Sequence, residues 1–263
     1  MTNDLLVSFV VPAYNEEALI AKCLASIKAE ISRTECASEI IVVDNNSSDS
    51  TRSIASAIAG VVVVSEPVKG LVQARRAGYL AARGNLIANI DADTMLPEGW
   101  LRTALAEFER IPDLVALSGP YVYYDLPRAS RLFVAAFYRV AFAFYVLIRF
   151  GIRAGSMLQG GNFIVSADGL NRAGGYNSTF SFYGEDTDLA RRLSKVGKVK
   201  FSFRLRALSS GRRFASEGLV KVGWRYSVNF LWATFMKRPF TPTWTDLRED
   251  LNESETKGSF ASN

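Results

Sequence analysis

Histidine is missing from this chain altogether. Its absence removes Ser-His-Asp triads, HExxH zinc sites and any imidazole general base, so the chemistry must be carried by carboxylates, hydroxyls, amines or a cofactor. Cysteine is scarce. Cys23 and Cys36 are too few for a zinc cluster, and Cys23 falls in an apolar helical pattern that burial explains. No GxGxxG follows the first apolar run and no GxxxxGK[ST] occurs anywhere, which removes the main support for a dinucleotide oxidoreductase or a P-loop enzyme. Nor does a basic leader with an apolar core open the chain. Met1 to Asp4 run almost directly into a strand-like segment, so no secretory signal is expected and the expected location is the cytoplasm.

At 263 residues and 49% hydrophobic content there is ample material for one packed domain. The net charge of +5 is unevenly spread: residues 191–240 hold 13 Lys and Arg against 1 acidic residue, whereas 1–120 and 241–263 are acidic. A basic block of that density is a footprint for phosphates, anionic lipid or nucleic acid.

Short β-branched runs begin at Leu6, Glu39, Val61, Leu86 and Leu114, each continuous rather than alternating in polarity, as strands covered on both faces are. Helical patterns over 17–31, 50–59, 71–82 and 99–110 separate them. Alternation of this kind predicts a doubly wound, nucleotide-binding α/β sheet with parallel strands, whose ligands bind beyond the carboxyl ends of the strands. Those ends are polar: Pro12-Ala13-Tyr14-Asn15-Glu16-Glu17, then Asp44-Asn45-Asn46-Ser47-Ser48-Asp49, then Asp91-Ala92-Asp93. Ser48 and Asp49 also read as a helix N-cap, which leaves Asp44 unexplained. Past residue 120 the alternation stops. An apolar segment over 131–150, a Gly160-Gly161-Asn162 turn before a strand at 163–166, and Gly184-Glu185-Asp186-Thr187-Asp188 ahead of a helix follow in order.

If the chain stays extended at Asp91-Ala92-Asp93, both carboxylates leave the sheet on the same side, where two hard oxygens can hold Mg²⁺ or Mn²⁺ and share it with a diphosphate. In a chain without histidine, the Glu185-Asp186 pair is the natural place for a general base acting on a hydroxyl, although acids at a helix start also favour the helix dipole.

Taken together, PAYNEE, VVDNNSSDST, KG followed by ARRAG, DADT, GGN and GEDTDLARRL closely resemble the family 2 glycosyltransferases of GT-A fold over about residues 5–215. The resemblance implies an α/β GT-A domain over 1–243, with a Rossmann-like nucleotide half at 1–120, a mixed central sheet, and an acceptor half at 121–243; the acidic 244–263 form a tail. It implies that Pro12, Ala13, Tyr14 and Glu16 line a nucleoside pocket and that Asp44 and Asn45 reach the base or ribose. Asn45 stands where the family often has a second aspartate. The likeness also places Lys69, Gly70 and Arg75 near base and diphosphate, Asp93 as principal metal ligand with Asp91 and Ala92 beside it, and Gly160, Gly161 and Asn162 on the wall beside the sugar. Trp100 is expected either to contact the acceptor or simply to pack. Relatives supply a metal ligand from a late histidine; here Ser209-Ser210-Gly211-Arg212-Arg213 fills that region, so Arg212 or Arg213 is expected to neutralise the leaving diphosphate.

The implied activity is metal-dependent, inverting transfer from a nucleoside-diphosphate sugar, with uridine favoured, to an acceptor hydroxyl, with Asp186 as base and Glu185 beside it. Cell-surface polysaccharide or glycolipid synthesis is the expected setting. A polyprenyl-phosphate acceptor is the nearest rival. A sugar nucleotidyltransferase would open with a glycine-rich basic loop that PAYNEE lacks, and nucleic-acid binding would leave the three aspartates idle. The segment 131–150 is long enough to span a bilayer, but one crossing would separate Asp93 from Asp186. It is expected to lie against the acceptor half or in an anionic membrane interface, near a lipid-linked acceptor.

Overall fold

The computed structural model describes residues 5–151, 157–180, 183–236 and 240–241. The first half runs β1 (Leu6–Ala13), α1 (Ile20–Ser32), β2 (Ala37–Asp44), α2 (Thr51–Ser56), β3 (Val61–Ser65), α3 (Leu71–Ala81), β4 (Leu86–Ile90), β5 (Thr94–Met95), α4 (Trp100–Arg110) and β6 (Leu114–Ser118). The second adds β7 (Tyr121–Tyr123), α5 (Arg128–Gly151), β8 (Asn162–Ser166), α6 (Ala167–Arg172), α7 (Glu185–Leu193), β9 (Lys198–Phe201), β10 (Ala207–Ser209), α8 (Arg212–Glu217) and α9 (Leu219–Met236).

A seven-stranded sheet has the order β3-β2-β1-β4-β8-β6-β9. Strands β3, β2, β1 and β4 are mutually parallel, as the continuous apolar runs predict. The sheet is mixed, as the family resemblance implies, because β8 lies antiparallel between β4 and β6. Its Asn-Phe-Ile-Val-Ser run is as continuously buried as any parallel strand, because it is central and covered on both faces. Continuous burial therefore reports position in the sheet and not strand direction. At the other end β3 is an edge, and Val62 on it is half exposed.

Helix α1 buries Ile20, Cys23, Leu24 and Ile27, an i, i+3, i+4, i+7 stripe, into the core that holds Phe9, Trp100 and Leu101. Fully burying side chains of this size contributes about 1.5–3 kcal/mol each. Glu30 on the same helix is buried and accepts from the backbone N–H groups of Gly99 and Leu101, each at 3.1 Å. It thereby serves the positive end of α4, where acids are favoured.

Because β8 is reversed, its first residue pairs with the last residue of β4, Ile90 with Asn162. The Gly160-Gly161 turn is thus delivered to the same sheet edge as the ends of β1, β2 and β4. A second, three-stranded sheet has the order β5-β10-β7. It aligns Thr94 with Ser209, and Ser209 with Tyr123, tying the Asp93 turn to a segment more than a hundred residues later. The expected tail at 244–263 lies outside the described residues.

Candidate active site

Pro12 and Ala13 are the last residues of β1 and are buried in register with Val43 and Asp44. Beyond them the loops after β1 and β2 are laced together. Asn15, at φ 48°, accepts from Ser48 N–H at 2.9 Å and donates its own N–H to Ser47 Oγ at 3.1 Å, while Glu16 N–H donates to Thr51 Oγ1 at 2.7 Å. Asp44 is buried, accepts from Ser47 N–H at 3.2 Å and stands 3.8 Å from Arg52. Tyr14 lies part-exposed under Lys69, whose Nζ is 4.3 Å from the ring centre and donates to the phenol oxygen at 2.5 Å. That pair forms an aromatic and cationic surface at the mouth of the site.

Asn45 does different work from that expected. Its Nδ2 donates to the carbonyls of Glu66 and Val68, at 2.9 and 2.7 Å, and its Oδ1 accepts from Gly70 N–H at 2.7 Å. The amide pins the 66–70 loop, and Gly70 at φ 148° starts α3 from a conformation that favours glycine. Asn45 positions Lys69; its amide nitrogen is spent on protein carbonyls and not offered to a base.

The chain does not stay extended after β4. Thr94 N–H donates to Asp91 O at 2.9 Å, closing a turn that buries Ala92 in the core. The two carboxylates are therefore sent to different partners. Asp91, 34% exposed at its side chain, accepts from Arg75 Nη2 at 3.1 Å and from Tyr121 OH at 3.0 Å. Asp93, 17% exposed, accepts from Arg212 Nη2 at 3.0 Å. Gly161, at φ 83°, lies against Asp91: a Cβ there would stand 1.9 Å from the carboxyl carbon. Only glycine lets that carboxylate occupy its place.

Arg75 is not a surface cation waiting for a diphosphate. It is wholly buried, ion-paired to Glu185 and Asp91, and donates to Gly160 O at 3.1 Å. Glu185, expected beside the base, is likewise committed: it is buried against Arg75 at the start of α7, and burial pushes its carboxyl up to about 7 against the pull of that guanidinium. Asp186 is different. It remains part-exposed, accepts from Thr187 N–H at 2.7 Å, and lies against the glycine turn, 3.6 Å from where a Gly160 Cβ would stand. Burial raises its carboxyl above the ordinary aspartate range, opposed by the backbone N–H groups of Thr187 and Gly160 and by Arg75. Of the two acids, Asp186 alone has both access and raised basicity. Asp188 faces the protein, accepting from Arg191 at 2.6 Å and Arg192 at 2.8 Å.

The small sheet settles which late arginine reaches the centre. Arg212, the first residue of α8, donates to Asp93 and to the buried Glu16. Arg213 turns away, to Tyr183 OH at 3.3 Å and Glu217 at 3.3 Å. One further expectation is corrected, and one left open is resolved. Asn162 is fully buried and donates from Nδ2 to Gly119 O and Leu205 O, at 2.9 and 2.8 Å, so it braces the core and does not line a sugar. Trp100 is buried too, its Nε1 donating to Asn162 Oδ1 at 2.9 Å, so packing accounts for it. Tyr121, which the sequence analysis did not single out, holds the second oxygen of Asp91; only the density of tyrosines at 121, 123 and 124 hinted at it.

Among the described residues no group of three or more acidic or thiol side chains is arranged to hold a metal by itself. The donors fit a different arrangement. Asp93, with Asp91 behind it, offers hard carboxylate oxygen at a polar, accessible edge, the one or two ligands with which Mg²⁺ or Mn²⁺ is held when phosphates complete its shell.

The family model for glycosyl transferase family 2 matches residues 8–166. An uncharacterised glycosyltransferase of Mycobacterium bovis is 40% identical over 109 residues, 41% of this chain and 46% of its own length. An undecaprenyl-phosphate 4-deoxy-4-formamido-L-arabinose transferase of Aeromonas hydrophila is 32% identical over 102 residues, 36% of this chain and 31% of its own length. These matches thus span less than half of the curated relatives. Among solved structures, a mannosyltransferase of Pyrobaculum calidifontis in complex with GDP-mannose and Mn²⁺ superposes with a TM-score of 0.65 at 20% identity, covering 88% of this chain and 63% of the other. Glucosyl-3-phosphoglycerate synthase of Mycobacterium tuberculosis with Mn²⁺ and UDP-glucose does so at 0.59 and 21%, covering 91% and 81%. The sheet order, the acid-lined strand ends and the family match agree: the chain belongs to glycosyl transferase family 2 and has the GT-A fold.

Proposed function

We propose that this protein transfers a sugar, with inversion, from a nucleoside-diphosphate sugar to an acceptor hydroxyl, with a UDP-sugar as the favoured donor. The observation that carries the proposal is the Asp93–Arg212 pair beyond β4 together with the part-exposed Asp186, which lies against the same glycine turn that packs on Asp91. Tyr14 and Lys69 supply an aromatic face and a cation where the nucleoside and its phosphates would enter. Asp186 takes the proton of the acceptor hydroxyl, that oxygen bonds to the anomeric carbon, and the bond from that carbon to the diphosphate oxygen breaks. No covalent sugar-enzyme intermediate is required. Arg212 stands beside Asp93, and its charge stabilises the diphosphate as it leaves. A divalent ion held at Asp93 would supply further positive charge to the same oxygens. The complexes of the two superposed enzymes with Mn²⁺ and a nucleotide sugar support this reading.

We assign the protein to the cytoplasm, in polysaccharide or glycolipid synthesis. A second reading, a polyprenyl-phosphate acceptor, is favoured by the name of the Aeromonas hydrophila relative. Nucleotide release across UDP-, GDP- and dTDP-sugars with Mn²⁺, with and without candidate acceptors, tests the assignment. Release from one donor that is stimulated by an acceptor supports transfer; no release from any of them refutes it. An acceptor already anionic needs no base, so a phosphate acceptor would leave Asp186→Asn active.

A further inference from the structure

Helix α5 is apolar on both of its long faces. One face carries Val134, Tyr138 and Tyr145 into the protein. The other carries Leu132, Phe133, Val140, Phe144 and Leu147, each more than half exposed, with Leu132 at 73%. Residues 128–147 are long and apolar enough to cross a membrane, yet only 17% of their most apolar window is buried. Crossing is excluded by topology. The strand before α5, β7, pairs with β10, and the strand after it, β8, pairs with β4 and β6, so both ends are tied into the same folded body.

The charges around the open face decide what covers it. Arg128 and Arg139 on α5 itself are exposed. Beside the helix the turn between β9 and β10 exposes Arg204 and Arg206, while Phe203 between strand and turn packs edge-on against Phe142 of α5, ring centres 5.3 Å apart. An apolar stripe flanked by cations is the composition that seats a helix in the headgroup region of an anionic bilayer.

We infer that α5 lies in the plane of an anionic membrane surface, its Leu132–Leu147 stripe sunk among the acyl chains and the neighbouring arginines on the headgroups. The helix is coupled to the site from its other face. Tyr138 OH donates to Gln159 Oε1 at 2.7 Å, and Gln159 precedes the glycine turn that lies between Asp91 and Asp186. The seated helix therefore fixes the segment that carries the glycine turn relative to the bilayer, which suits a lipid-linked acceptor; this last point rests on the transfer reading, whereas membrane seating does not.

The test is co-sedimentation of the full chain with phosphatidylcholine vesicles and with vesicles containing a quarter phosphatidylglycerol, at low and high salt, alongside Val140→Glu/Phe144→Glu and Arg204→Glu/Arg206→Glu. All four positions are exposed, so thermal melting is expected to be unchanged. Binding to the anionic vesicles at low salt is expected, weakened at high salt and by the arginine double variant. The apolar double variant is expected to weaken it at least tenfold, since each large side chain withdrawn from the interface forfeits about that factor. No binding to anionic vesicles, or binding that the apolar variant leaves intact, overturns the inference. So does a stable dimer in light scattering that the apolar variant splits, which would assign the face to a second copy. The readout is binding and not turnover, so its failure leaves the transfer assignment standing, and the reverse holds as well.

Discussion

Replacing Gly161 by alanine isolates the contact on which the geometry of Asp91 depends. Two penalties are expected. The backbone at φ 83° disfavours any L side chain by about 1–2 kcal/mol. The new methyl would also stand 1.9 Å from the Asp91 carboxyl carbon, so that side chain must leave. It then gives up hydrogen bonds from Tyr121 and Arg75, about 1.5–3 kcal/mol for a charged bond, and Arg75 is left buried with Glu185 as its remaining carboxylate. Because Asp91 is one-third exposed, water recovers part of that loss, and the total is about 3–5 kcal/mol. At about 2–4 °C per kcal/mol for a domain of this size, the melting temperature falls by about 6–20 °C. Gly60→Ala is the control. Gly60 has nearly the same φ, 82°, and an added methyl meets nothing within 4 Å, so it carries only the backbone penalty, about 2–8 °C. Thermal denaturation followed by circular dichroism, with donor titrated by calorimetry, separates the two, and Gly161→Ala is also expected to bind donor more weakly. Equal melting temperatures for both variants would refute the proposed role of Gly161.

Chelation is expected to abolish turnover, and Asp93→Asn to lose more activity than Asp91→Asn. Asp91→Asn is expected instead to lower the melting temperature through Arg75, and full activity of Asp93→Asn in chelator would remove the metal from the account. Asp188→Asn is expected to cost about 2–3 kcal/mol while leaving kcat near wild type, because Arg191 and Arg192 lose their partner on a buried face. Burial alone would raise the Asp188 carboxyl, but hydrogen bonds from Arg192 and Arg191 hold it below its ordinary value. A depressed folded value means that its contribution is fully present above about pH 4 and is lost as pH falls through it, so urea melts of wild type and variant should converge at acid pH. A gap that stayed constant down to pH 2 would contradict this.

The strands and helices of the first 120 residues were legible because the apolar runs are local and each ends in its own polar cluster. Sequence-local reasoning also placed Asp91, Asp93 and Asp186 at element ends. It failed where a residue's work is decided by a distant partner. Asn45 looked like a base contact, yet its amide belongs to a loop more than twenty residues on. Arg75 and Glu185 looked like a phosphate cation and a catalytic acid, and across 110 positions they bury each other. Asn162 looked like part of the wall beside a sugar, and its amide is spent on the carbonyls of Gly119 and Leu205 in the core. The short strands β5, β7 and β10 carry no periodic pattern, two or three residues being too few, and yet their pairing decides that Arg212, and not Arg213, reaches Asp93. Register between remote short strands leaves no local trace.

The central claim is that Asp186 acts on the proton of an acceptor hydroxyl. The most direct measurement compares wild type with Asp186→Asn in single-turnover transfer, once donor and acceptor are known, with donor affinity read by calorimetry on the same preparations. Donor binding and melting temperature are expected to be unchanged, with transfer slowed by on the order of 10²–10⁴, the range for loss of a general base. Transfer near the wild-type rate at matched donor occupancy would contradict it and move the acceptor to a group that carries no proton to be removed.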